Sequence, residues 1–231
     1  MQEGGNQRLI ITHAVLTGLT PLIPIPILDD LVKSYFQRRL VRRLAESYRH
    51  SLSEQDIRTL ADDPGGGCLS GCLGGAFLLP FKLIFRKLFF FLEWKRAADT
   101  VSRTYHQGYL LECALRESWF PHQRNAVDLR AAVDAVLLEV GTGPVERAVR
   151  TTFNQSRSAL KSAASLLRRS LQSISGKPDE AQVAQAAEAV ESEEEREIEG
   201  VITRLQKSIQ SIPDDYFDNL RKRLAERLRV S

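Results

Sequence analysis

Residues 9–28 read Leu9-Ile10-Ile11-Thr12-His13-Ala14-Val15-Leu16-Thr17-Gly18-Leu19-Thr20-Pro21-Leu22-Ile23-Pro24-Ile25-Pro26-Ile27-Leu28, 20 residues without an Asp, Glu, Lys or Arg. That is the length a helix needs to cross a hydrocarbon core. Pro21, Pro24 and Pro26 interrupt the second half, because each removes a backbone donor and disfavours helix in the residue before it. The pattern predicts a helix over about residues 9–19, an extended Pro-Leu-Ile-Pro-Ile-Pro elbow, and a new helix opened by Asp29 and Asp30. Their negative charge suits a helix N-terminus.

Downstream of the elbow, Phe36, Leu40, Leu44 and Tyr48 recur at intervals of four, the apolar stripe of an amphipathic helix. Arg38, Arg39, Arg42, Arg43 and Arg49 supply it with a cationic surface, and Arg42 with Glu46 forms an i,i+4 pair. Ser53 followed by Asp56 is a helix-start signal and predicts a short helix over residues 54–62.

Residues 64–81 are a second uncharged stretch, 18 long, in which Gly67, Gly71 and Gly75 are spaced by four. On a helix they would form one stripe that admits close approach of a neighbour. In water each glycine costs a helix about 1 kcal/mol relative to alanine, so residues 65–67 read equally well as a loop. The following run, residues 81–92, mixes Lys82, Arg86 and Lys87 with Phe81, Phe85, Phe89, Phe90 and Phe91. Basic side chains can hold their charge at lipid headgroups while their stems and the aromatic rings sit deeper. A dense core would use the same rings; the adjoining glycine stripe favours the membrane.

Phe120-Pro121 divides the expected organisation into an apolar, glycine-rich helical membrane-associated module, residues 1–120, and a soluble helical region, residues 121–231. The second region predicts a helix over residues 127–140, a Gly141-Thr142-Gly143-Pro144 break and a long helix from about Val145. Leu160, Ala164, Leu167, Leu171 and Ile174 alternate spacings of four and three, as do Ile198, Ile202, Leu205, Ile209 and Ile212. Two such heptad-like seams predict an antiparallel hairpin or bundle, or self-association as a coiled coil. The acidic residues 188–199 read as a solvated surface, and the basic last helix, with Leu220, Leu224 and Leu228 on one stripe, as a lipid contact.

Composition excludes several classes. The chain holds 32 basic and 29 acidic residues, a net charge of +3, too small to imply a nucleic-acid partner. Three cysteines do not make the paired framework of a small secreted domain, so a reducing compartment is expected. The N-terminus lacks a basic leader pattern and has Gln2 where acylation would need glycine, so neither a cleaved leader nor a myristoyl anchor is predicted. Cys68, Cys72, His106 and Cys113 are soft ligands at helical spacing, but buried structural cysteines are the commoner case, and no metal is expected. His13 and His50 read as packing or capping residues, and no catalytic constellation or cofactor motif is present.

From Thr17 to about Leu60 the order of features resembles a bacterial helical domain of the YcjF type, which also occurs attached to membrane-associated GTPases. The residues that carry the likeness are the elbow at Pro21-Leu22-Ile23-Pro24-Ile25-Pro26, Asp29-Asp30, Ala45-Glu46-Ser47-Tyr48 and Leu52-Ser53-Glu54-Gln55-Asp56. The resemblance implies a membrane-associated module without known catalytic activity. It does not extend to a nucleotide site: Gly66 and Gly71 have phosphate-loop spacing, but Cys72 stands where the lysine must be and Leu73 where Ser or Thr must be. The sequence thus predicts an all-α, non-enzymatic, membrane-associated scaffold on the cytoplasmic side. Its expected partners are anionic lipids and a protein or second copy met through the C-terminal helices; the alternatives are a soluble helical adaptor with one apolar core and an enzyme or carrier for an apolar ligand.

Overall fold

The computed structural model describes residues 3–23, 28–62, 86–172 and 180–230. The described residues are all-α: α1 (Glu3–Leu19), a 3-10 turn (Thr20–Leu22), α2 (Leu28–Ser47), α3 (Glu54–Ala61), α4 (Arg86–Arg116), α5 (Ala126–Val140), α6 (Gly143–Gln155), α7 (Arg157–Gln172), α8 (Glu180–Gln210) and α9 (Asp214–Val230).

Helix α1 is the axis of the molecule. It packs against α2, α4 and α8, and residues 10–20 are all buried. A helix that is apolar on every side must be covered all round, and here protein supplies the cover. Among the described residues no helix is long and apolar enough to cross a membrane. The uncharged stretch from Leu9 is therefore core up to Ile23; Pro21 lies in the 3-10 turn, half-buried, and Ile23 N donates to Thr20 O at 3.0 Å. Pro24 and Pro26 lie outside the described residues. Helix α2 starts where the acidic pair predicts, with Asp29 and Asp30 in its first turn.

Close packing of α1 on α4 depends on two glycines that the sequence does not single out. A Cβ at Gly18 would stand 2.2 Å from Val101 Cγ2, and one at Gly108 2.9 Å from Ile10 Cγ2. The stripe Gly67, Gly71 and Gly75, expected to serve such an approach, lies outside the described residues.

Caps fix the flanking elements. Ser53 Oγ accepts from Asp56 N at 3.1 Å to start α3, and Asn125 Oδ1 accepts from Asp128 N at 2.9 Å to start α5. Buried Arg130 on α5 donates to Leu60 O at 2.7 Å, satisfying a carbonyl that the end of α3 leaves over. Gly141, at φ 72°, closes α5, in a conformation that suits glycine.

The long helix expected from Val145 is instead two, α6 and α7, separated at Ser156. Buried Ser156 leaves helical geometry, accepts from Arg204 Nη1 at 2.9 Å, and lets Phe153 and Leu160 both enter the core. The two seams meet as an antiparallel hairpin: Leu160, Ala164, Leu167 and Leu171 of α7 and Ile198, Ile202, Leu205 and Ile209 of α8 are buried. Ser156 lies beside Arg204 at one end, and Ser170 Oγ donates to Ala186 O at 2.8 Å at the other.

Helices from both sides of Pro121 share this core, since α8 packs on α1 and α2, α6 on α4, and α5 on α3. The leucine stripe of α9 is part of it too. Leu220, Leu224 and Leu228 are buried, with α9 packed on α5, so that stripe faces protein and not lipid.

Candidate functional site

The residues proposed from sequence fall in two places. Gly67, Gly71, Gly75, Phe81, Lys82 and Phe85 lie outside the described residues, while Arg86, Lys87 and Phe91 occupy the first turns of α4. That end of α4 carries exposed Lys95 and Arg96, and Leu92 is 42% exposed. Trp94 turns inward against Phe153, their ring centroids 5.8 Å apart, and Arg157 of α7 stands 5.7 Å over the Trp94 ring, a cation–π contact.

The arginines of α2 do not form an open cationic surface. Arg38 is ion-paired with Asp62 and Glu180, Arg39 with Glu188 at 3.5 Å, and Arg42 with Glu54 at 2.7 Å. Glu199, at the far end of the acidic stretch, pairs with Arg8. Charges that look excessive in separate segments thus partly neutralise one another once α2, α3 and α8 pack.

At the opposite end of α4, a cleft of about 630 Å³ opens between α1, α4 and α9. Its lining includes Ile10, Tyr105, Tyr109 and Phe217, with Glu112, Arg116, Asp214, Asp218 and Arg221 supplying charge. Buried Glu112 accepts from Tyr48 Oη at 3.2 Å, and Tyr109 Oη donates to Phe217 O at 3.2 Å. Burial pushes the Tyr105 and Tyr109 phenols well above their ordinary range, so both are neutral donors at physiological pH. Burial likewise pushes the Cys113 thiol up to about 11, which removes it as a nucleophile. The lining thus mixes aromatic rings and an aliphatic side chain with hydroxyls and charges of both signs.

His106 stands just below this cleft and is fully committed. Burial holds its pKa down at about 4, so the ring is neutral; Ser102 O, 2.6 Å from Nδ1, can only accept, which puts the proton there. Nε2 therefore accepts from Tyr216 Oη at 2.6 Å, and the same hydroxyl lies 3.0 Å from Gly141 O. One phenol so joins α9 to α4 and lies against the end of α5. His13 is equally buried within α1, its Nδ1 3.0 Å from Leu9 O. Among the described residues no group of three or more His, Cys, Asp and Glu is placed to hold a metal; Cys68 and Cys72 lie outside them.

No protein-family model, no curated protein and no solved structure matches this chain.

Proposed function

We propose that the protein is a non-catalytic, membrane-associated helical scaffold on the cytoplasmic side, whose principal lipid contact is the segment of residues 64–96. The observation that carries this is the joint between body and segment. The uncharged residues 64–81 and the cation–phenylalanine run connect α3 to a helix, α4, whose first turns carry Arg86 and Lys87 and leave Leu92 exposed. An apolar run flanked by cations is the composition of an interfacial anchor. The resemblance to the YcjF-type domain points the same way.

Flotation of the full chain with liposomes tests it. Wild type should float with anionic vesicles more than with neutral ones. Replacing Lys82, Arg86 and Lys87 by Glu should weaken binding chiefly at low salt, since each basic residue near an anionic surface contributes up to about 1 kcal/mol. If wild type floats with neither, the protein is instead an adaptor working through helix–helix contacts. A second reading, a receptor for a small polar molecule, rests on the cleft between α1, α4 and α9. A thermal-shift screen in which Tyr109→Ala abolishes a hit would support it.

A further inference from the structure

We propose that the cavity enclosed by α2, α3, α4 and α5 is a binding site for ordered water, which joins Gln37 of α2 to Thr104 and Gln107 of α4. The site stands independently of the membrane reading.

The cavity measures about 30 Å³, and Gln37, Leu40, Leu60, Thr104, Gln107 and Leu129 are among the residues that line it. Gln37 is 5% exposed and Thr104 2%. Two polar atoms brought here find no protein partner: among the described residues nothing bonds to Thr104 Oγ1 or to Gln107 Nε2, and both atoms are buried. A buried hydroxyl or amide left unmet is costly, and an apolar side chain of the same shape would avoid the cost. Thr104 also leaves unused a local remedy that other threonines of the fold take. Thr17 and Thr59 return their hydroxyls to the carbonyl four residues back, at 2.7 and 2.8 Å.

Size and charge together name the ligand. One water needs about 10–15 Å³ by this measure and about two to four polar partners, so the space holds about two waters and no larger molecule. Among the described residues no carboxylate lines the cavity, and the guanidinium that does, that of Arg130, is turned to Leu60 O and Asp134. The ligand is therefore neutral. The Thr104 hydroxyl donates and accepts, the Gln107 Nε2 donates and the Gln37 amide does both, a set that water can satisfy from one position or two. Waters so held bridge α2 and α4 beside Gly108, where the helices already approach closely. A Cβ at Gly108 would stand 3.2 Å from Leu40 Cδ2.

The test uses the full chain. In wild type, rotating-frame NMR cross-peaks should connect the Gln107 side-chain amide with water, and oxygen-17 relaxation dispersion should count the long-lived internal waters. Thr104→Val keeps the shape and removes the hydroxyl. It should lose at least one such water and lower the melting midpoint by about 2–4 °C, whereas Thr104→Ser should keep the wild-type count. The sign of the Thr104→Val shift separates the cases, because removing a hydroxyl that had no partner would raise the midpoint. A raised or unchanged midpoint, a water count in Thr104→Val equal to wild type, or a Gln107 amide without a water cross-peak overturns the site.

Discussion

Arg38 donates from Nε and Nη2 to the two carboxylate oxygens of Asp62, at 2.9 and 2.6 Å, and its third nitrogen reaches Glu180. This fork fastens α2 to the residue at which the chain leaves α3 and to the start of α8. Bidentate geometry and a side chain only 15% exposed set it apart from an ordinary surface pair. Asp62→Asn should lower stability by about 1 kcal/mol, and Arg38→Ala by somewhat more, because it removes the partner of Asp62 and leaves Glu180 only Arg58, at 3.6 Å. Urea denaturation of the two single variants and the double gives the coupling; a value near zero would reduce the fork to a surface contact.

Gly18 sits where α1 meets α4, with Val101 Cγ2 and the carbonyl oxygen of Ala97 in the space a methyl would take. Gly18→Ala should therefore destabilise the fold by about 1–2 kcal/mol even though alanine gains about 1 kcal/mol of helix propensity. Adding Val101→Ala should restore part of the loss, since the 2.2 Å clash is with that side chain. Thermal melts of the two variants and the pair distinguish steric packing from a general intolerance of change in α1.

His13 and His106 both have pKa values lowered by burial to about 4, against 6.5 for an exposed imidazole. Below pH 6.5 the unfolded chain takes up protons that the folded chain refuses until about pH 4. Stability is thus greatest above pH 6.5 and falls through that window, by about 3 kcal/mol per histidine if the full shift is expressed. Denaturant midpoints measured across this range should slope accordingly, and His106→Gln should flatten the slope by about half. A stability profile that is level between neutral pH and pH 5 would contradict the buried neutral assignment.

Tyr216 gives its one hydroxyl proton to His106 Nε2, with Gly141 O 3.0 Å from the same oxygen, so removing the hydroxyl leaves the buried Nε2 without a donor. Tyr216→Phe should cost about 1–3 kcal/mol. Exchange of the amides at the end of α5 should quicken with it, which hydrogen-exchange measurement would detect.

Leu224 is fully buried on the leucine stripe of α9. Leu224→Ala should lose about 2–5 kcal/mol of stability. In protein that remains folded, liposome binding should be unchanged; a variant of full stability that no longer binds vesicles would show the stripe to be a lipid contact after all.

Local chemistry alone determined much of the helical framework. Ser53 and Asn125 open helices because their side chains satisfy amides the first turn leaves over, Gly141 closes one because it adopts a positive φ, and the alternating spacings of Leu160–Leu171 and Ile198–Ile209 mark the faces that pair. These signals act within a few residues, so a sequence displays them. What covers an apolar face is another matter, because burial of apolar surface is non-directional and satisfied equally by protein or lipid. Only tertiary packing placed residues 10–20 and Leu220, Leu224 and Leu228 inside the protein. It also chose the arginines' partners, joining Arg38 to Asp62 across 24 residues and to Glu180 across 142, distances at which no local pattern specifies a contact. Gly18 and Gly108 were hidden for the same reason: a glycine in a helix shows its purpose only when the neighbour that needs the room is in place.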